Sequence, residues 1–221
     1  MRSATLKAIS IKETVQINCN ALGKPVSATM DLFFPIEARY ETVEIPGRIT
    51  IYGKQIEQLT EVSPYIIVSG DFAITKCAGG SAIEIDNGAI VNSFNMEGEI
   101  NLVNVVGHVR REIDHHCFEN GRVAKFSLVM RGKNKDESHW ANVETWGQQA
   151  QIVGSFVKRN DQVAFSGKLK ASEYNGKFYV NIRADRFTLL GAGNKVSEPT
   201  TTQPAAKSRG SSQPAYQVDD F

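Results

Sequence analysis

Residues His139–Tyr174 read HWANVETWGQQAQIVGSFVKRNDQVAFSGKLKASEY, and the changes of period along them decide the fold. Val143 and Thr145 fall on one face of an extended strand. Asn142, Glu144 and Trp146 fall on the other face, and Trp140, also even-numbered, joins them. After Gly147 the apolar residues come at Ile152, Val153, Phe156 and Val157, a helical spacing that closes at Lys158 and Arg159. From Gln162 to Tyr174 the pattern alternates again and carries Lys168 and Lys170 two residues apart. A strand with aromatics, a short helix and a long strand with lysines are the parts of a stacking platform for unpaired bases.

Tryptophan in a strand is most often a core residue. Here both indoles lie opposite Val143, with the polar Asn142 and Glu144 between them, so the exposed platform is the better reading. Tyr174, next to the turn pair Asn175-Gly176, could equally cover a barrel rim. Arg131, Lys133, Lys135, Lys158, Arg159, Lys168 and Lys170 flank the aromatics. Any one of them could be ordinary solvated charge, but their concentration there points to phosphate contact.

The segments NLVNVVGHVRRE (Asn101–Glu112), WANVETWGQQAQIVGSFVKRNDQVAFSGKL (Trp140–Leu169) and the terminal YQVDDF (Tyr216–Phe221) resemble the bacterial-type single-stranded-DNA-binding proteins, SSB. The resemblance covers Ile100 to about Gly191. It implies a five-stranded OB barrel that binds single-stranded DNA by stacking bases on Trp140, Trp146 and Tyr174. It also implies a protein-docking tip at Asp219, Asp220 and Phe221, although the family's tip usually has more aspartates and a proline before the Phe. Position supports the tip too: an aromatic terminus with two carboxylates follows a tether poor in large apolar residues. The family presents four barrels per assembly, so a chain with two implies a homo-oligomer, preferably a dimer.

The part before residue 99 repeats this order. ITIYGKQ (Ile49–Gln55) lies over VETWGQQ (Val143–Gln149), and YIIVSGDF (Tyr65–Phe72) lies over QVAFSGKL (Gln162–Leu169). Tyr52 then falls on Trp146, the Pro46 region on Trp140, and Cys77 on Tyr174. Asp71 and Ala73 stand where the second copy has Lys168 and Lys170. The first copy keeps one weaker stacking candidate, Tyr52, and lacks the cations. Residues before Pro35 alternate as a strand that Pro35 should stop, and a short helix is expected around Gln55–Thr60.

The expected fold is all-β: two tandem five-stranded OB barrels, each with one short helix, and a disordered tail. The divisions are 1–98 for a divergent OB-like domain, 99–191 for the SSB-type domain and 192–221 for the tail. Residues 94–99 are too few for a flexible linker, so the barrels should sit close together. The tail is Ser, Thr, Pro, Gln, Ala and Gly with almost no large apolar side chain, too little to offset its ordering entropy.

Charge follows the same division. Residues 1–98 hold 8 basic and 11 acidic residues, whereas 99–190 hold 14 and 10, so only the later barrel has the net positive charge that a phosphate-binding surface needs. Cys19, Cys77 and Cys117 are odd in number and far apart, which fits reduced thiols in the cytoplasm. The segment MRSATLKAIS has no apolar signal region, and no run spans a bilayer.

His108 with His115-His116-Cys117 lacks a second paired ligand motif, so no metal is expected. No nucleophile elbow, phosphate loop or paired-carboxylate signature appears, so no enzyme activity and no cofactor is expected. The leading function is sequence-independent binding of single-stranded DNA in replication, recombination and repair, with partners recruited through the tip. The rivals are an RNA-binding OB protein, an OB adaptor of a primosome or recombination complex, and, third, a metal-dependent enzyme.

Overall fold

The computed structural model describes residues 1–93, 98–119, 121–134 and 136–191. Lys135, the join at 94–97, Asn120, and the tail with its tip lie outside them.

The first half folds as β1 (Arg2–Ser10), β2 (Gln16–Cys19), β3 (Pro25–Glu37), β4 (Thr42–Tyr52), a 3-10 helix (Gly53–Glu61), β5 (Tyr65–Cys77) and β6 (Gly80–Ser93). The second half repeats it as β7 (Asn101–Val109), β8 (Asp114–Phe118), β9 (Gly121–Arg131), β10 (Ser138–Trp146), α1 (Gly147–Phe156), β11 (Gln162–Tyr174) and β12 (Lys177–Gly191). Hydrogen bonding runs β2-β3-β4-β6-β5-β1-β7-β11-β12-β10-β9-β8, and the pairings β3–β1 and β7–β9 close a barrel at each end. These are two five-stranded OB barrels, each with a small extra edge strand, β2 or β8.

The alternation in sequence becomes alternation in burial. Ala28, Met30, Leu32, Phe34 and Ile36 of β3 point into the first core; Ala124, Phe126, Leu128 and Met130 of β9 point into the second. Each large apolar side chain withdrawn from water contributes ~1.5–3 kcal/mol. The repeat extends to irregularities: the β5–β6 register shifts between Ser69 and Asp71, and the β11–β12 register between Ser166 and Gly167. Both copies leave the aromatic-bearing strand through a left-handed glycine, Gly53 at φ +62° and Gly147 at φ +59°. At the β11–β12 turn Asn175 (φ +52°) and Gly176 (φ +70°) are both left-handed, as a two-residue type I′ hairpin requires.

One detail differs from expectation. Pro35 does not end β3, which continues to Glu37 with Pro35 opposite Glu44. The β1–β3 pairing covers only Leu32 and Phe33, so beyond it β3 has a partner on one side only and needs no donor from Pro35 on the other. The short helix expected around Gln55–Thr60 is present as the 3-10 helix Gly53–Glu61. Residues 2–10 form β1, in which Ala4, Leu6 and Ala8 alternate inward and Arg2 and Lys7 are buried as well. Arg2 satisfies its head group by donating from Nη1 to the Phe72 carbonyl at 3.0 Å.

The barrels meet along a continuous seam. Arg2–Leu6 of β1 pairs antiparallel with Asn101–Val105 of β7, and Phe178 of β12 bridges Gly80 of β6.

Candidate nucleic-acid interface

β10 places both tryptophans as the alternation requires. Its register sets Trp140 opposite Val129 and Trp146 opposite Val123. Ala141, Val143 and Thr145 are buried, whereas Trp140 is 52% and Trp146 44% exposed. Gly147 turns the chain into α1 directly after Trp146, leaving that indole at an open corner. Tyr174 is 68% exposed at the hairpin tip, so it does not cover the barrel rim.

Around Trp140 the structure gathers cations that are far apart in sequence. Val109 N–H donates to the Asp161 carbonyl (3.0 Å) and Asn160 N–H to the Val109 carbonyl (2.7 Å), which ties the loop after α1 to the end of β7. Arg110, Arg111 and Arg159 therefore line one cleft of about 530 Å³ with Trp140. Arg110 Nη1 lies 3.5 Å from Asn160 Oδ1, and among the described residues none of these three arginines has a carboxylate at ion-pair distance. Sequence points to Arg159 and misses Arg110 and Arg111. The available signal is the adjacent pair itself, at the end of a strand within a motif that carries the family resemblance.

Arg111 also borders a second cleft of about 430 Å³ along the outer face of the sheet, where Lys125, Ser127, Asn142 and Asn181 offer polar groups. Through Glu144 and Ser172 that cleft joins a third, of about 580 Å³, between the barrels. There the first barrel's β3–β4 turn contributes Arg39 and Tyr40, and Tyr40 is 86% exposed with the guanidinium 4.9 Å from its ring centroid. A path runs from Trp140 across β10 and β12 to the neighbouring barrel.

The sequence candidates divide by their partners. Arg131, Lys158 and Arg159 are exposed. Lys168 Nζ is 2.8 Å from Glu99, and that hydrogen bond raises its pKa. Lys170 pairs with Glu37 of the first barrel, which draws the Glu37 pKa down. Lys133 Nζ is 2.5 Å from Asp86, also in the first barrel, and its pKa is raised by that hydrogen bond. Tyr52, the counterpart of Trp146, has the Lys133 ammonium 5.1 Å from its ring centroid. Asp71, Glu84, Asp86 and Glu137 line one cleft with this tyrosine, together with Arg2, Arg48 and His139, and Arg48 pairs with Asp31 at 2.7 Å.

Two of the histidines are taken up around β8: His115 Nε2 donates to the Ala150 carbonyl at 2.8 Å, and His116 lies 3.0 Å from Asp114. Among the described residues no group of three or more His, Cys, Asp or Glu is placed to hold a metal, and no helix is long and apolar enough to cross a membrane.

A tandem OB protein with an outward aromatic strand ringed by arginines is the class that the fold and this face define. Residues 100–190 match the single-strand binding protein family. Single-stranded DNA-binding protein 1 of Nostoc sp. is 31% identical over 101 residues, spanning 42% of this chain and 85% of that protein. Single-stranded DNA-binding protein 1 of Synechocystis sp. is 30% identical over 111 residues, spanning 46% of this chain and 92% of that one. The fold of the wild-type single-stranded DNA binding protein from Thermus aquaticus superposes over 90% of this chain and 97% of that one, with a TM-score of 0.58 at 15% identity. This chain belongs to the single-strand binding protein family.

Proposed function

We propose that this chain binds single-stranded DNA without sequence preference, through the second barrel, and catalyses no reaction. The observation that carries the reading is the outward Trp140–Trp146 face of β10 with Arg110, Arg111 and Arg159 gathered at one end. Bases stack on Trp140, Trp146 and Tyr174, while these arginines with Arg131, Lys135 and Lys158 track the phosphates. Lys133, Lys168 and Lys170 join only by exchanging a carboxylate for a phosphate. The units 1–98 and 99–191 are unequal in this reading. The first serves as scaffold and partner surface, because Tyr52 is its one platform aromatic and the carboxylates of its cleft outnumber Arg2 and Arg48.

The cellular role that follows is coating of unpaired strands in replication, recombination and repair, in the cytoplasm, as a homodimer with four barrels. The tail ends in Asp219, Asp220 and Phe221, whose carboxylates and ring suit a basic pocket with an apolar floor on a partner protein. Deleting these three residues should leave DNA affinity intact or slightly raised. It should abolish co-purification of replication and repair proteins, and unchanged capture would reduce the tip to a plain tail.

The direct test uses the placement of both tryptophans of the chain on β10. Titration with oligo(dT) at several salt concentrations should quench their fluorescence, with affinity falling as salt rises. Quenching that is absent at low salt overturns the assignment.

A further inference from the structure

We propose that the first barrel has turned its platform position into an ammonium site, Tyr52 with Asp86, which Lys133 fills in the free chain and leaves when a DNA strand takes that lysine. The second half of this statement rests on the binding function proposed above; the site itself does not.

The repeat shows how the site arose. Tyr52 occupies the place of Trp146, each ending its strand before a left-handed glycine. Directly after the paired bulges, Asp71 stands opposite Asp86 in the first barrel, and Lys168 stands opposite Arg183 in the second. The same two positions therefore carry opposite charge in the two copies. A surface that repels phosphate attracts an ammonium, and an aromatic face beside a carboxylate binds one by cation–π attraction and charge together.

The β9–β10 loop of the second barrel supplies that ammonium. Lys133 Nζ lies 2.5 Å from Asp86 Oδ2 and 5.1 Å from the centre of the Tyr52 ring. The Tyr52 hydroxyl also bonds the same carboxylate. Burial pushes the Asp86 carboxyl up, but hydrogen bonds from Lys133, the Asn87 N–H and Tyr52 outweigh it and hold the pKa low. Asp86 is thus anionic near neutral pH and acts towards Lys133 as a phosphate would.

The contact is built to be exchanged. The Lys133 side chain remains 45% and that of Asp86 34% exposed, so water screens the pair. The loop that carries Lys133 also leads into β10, whose third residue is Trp140. A strand stacked on Trp140 brings phosphates to the same loop. Lys133 then has two anionic partners, one internal and one on the ligand, and Tyr52 stays unavailable to bases while the internal one holds.

Reductive methylation of the lysines with ¹³C-formaldehyde keeps their charge and gives each an NMR signal, with Lys133 assigned by Lys133→Arg. The Lys133 methyl signal should sit upfield from ring current, and Tyr52→Leu should return it to the position of a free lysine. Saturating oligo(dT) should do the same in the unsubstituted chain. Asp86→Asn should tighten oligo(dT) binding roughly two- to fivefold, the range expected for an exposed pair, and should not do so in a Lys133→Ala background.

A Lys133 signal at the free-lysine position without DNA overturns the site. A shifted signal that persists while oligo(dT) quenches the tryptophans overturns the exchange and leaves the binding function standing. A shifted signal with no quenching overturns the binding function and keeps the site. Equal tightening by Asp86→Asn with and without Lys133 reduces the effect to long-range charge and overturns the exchange.

Discussion

Trp140 and Trp146 differ by six positions on one strand, and an even difference keeps both rings on one face of the sheet. Replacing either by Ala should weaken oligo(dT) binding by ~1–3 kcal/mol, and Tyr174→Ala should fall in the same range, because each removes one stacked base. Tyr52→Ala should cost much less, since its ring carries an ammonium. Equilibrium titrations in one buffer check the ranking, which fails if Tyr52→Ala matches Trp146→Ala with folding intact. Substituting Arg110 and Arg111 together by Ala should flatten the slope of log K against log salt by ~0.7 for each phosphate that is no longer neutralised. An unchanged slope would place both side chains off the strand's path. The tryptophans are legible in sequence because parity alone determines which face a strand residue takes. The arginine cluster is not, because Arg110 and Arg159 meet only through the hydrogen bonds between Val109, Asn160 and Asp161. For the same reason the lysines that read as phosphate ligands come without their carboxylate partners: Glu37 is remote in sequence from Lys170, and Asp86 from Lys133.

Among the elements, β11 and the hairpin it forms with β12 carry the most exact geometry. A Cβ on Gly167 would lie 2.0 Å from the Arg183 carbonyl oxygen, a backbone atom that cannot swing aside; on Gly70, the counterpart, it would lie 2.7 Å from the Asp86 carbonyl. Gly167→Ala should therefore destabilise the chain by ~1–3 kcal/mol through overpacking at the bulge, and Gly70→Ala by less. Urea unfolding followed by tryptophan fluorescence measures the first, and a midpoint unchanged from the parent would show that the bulge relaxes. The Ser-Gly pairs are visible in sequence as a repeat, and so are the strand–Gly–helix steps at Tyr52-Gly53 and Trp146-Gly147. β1 follows the same alternation, with Ala4, Leu6 and Ala8 on the buried face, and Arg2 shares that face by donating to the Phe72 carbonyl. Pro35 misleads. A proline ends a central strand, but beyond Phe33 the strand β3 has a partner on one side alone.

At the scale of the whole molecule, the seam between β1 and β7 decides how the chain can assemble. Arg2–Leu6 of β1 pairs antiparallel with Asn101–Val105, and Val106 N–H and Lys7 N–H add bonds to the Met1 and Ile100 carbonyls at 2.8 and 2.9 Å. The two strands hold equivalent places in the repeat, so the seam relates the barrels by an approximate two-fold axis. Removing the first barrel would strip one edge of β7 and leave its N–H and C=O groups facing water as a template for another strand. The strand best matched to that edge is β7 of a second copy, since an antiparallel pair of identical strands forms a closed isologous contact with the same register. A fragment of residues 99–191 should therefore be a dimer, with oligo(dT) still quenching Trp140 and Trp146. Static light scattering should give twice the fragment's mass at micromolar concentration. Substituting Pro for Val103, which pairs with Ala4 in the seam and with Gly167 in the barrel, would not separate association from folding. Leu102→Pro is the better probe, because Leu102 pairs with Thr5 but lies outside the β7–β11 pairing. A fragment that is monomeric, folded and active without that substitution would mean that the β7 edge is held to β1 by the tether between the barrels, with no adhesiveness of its own.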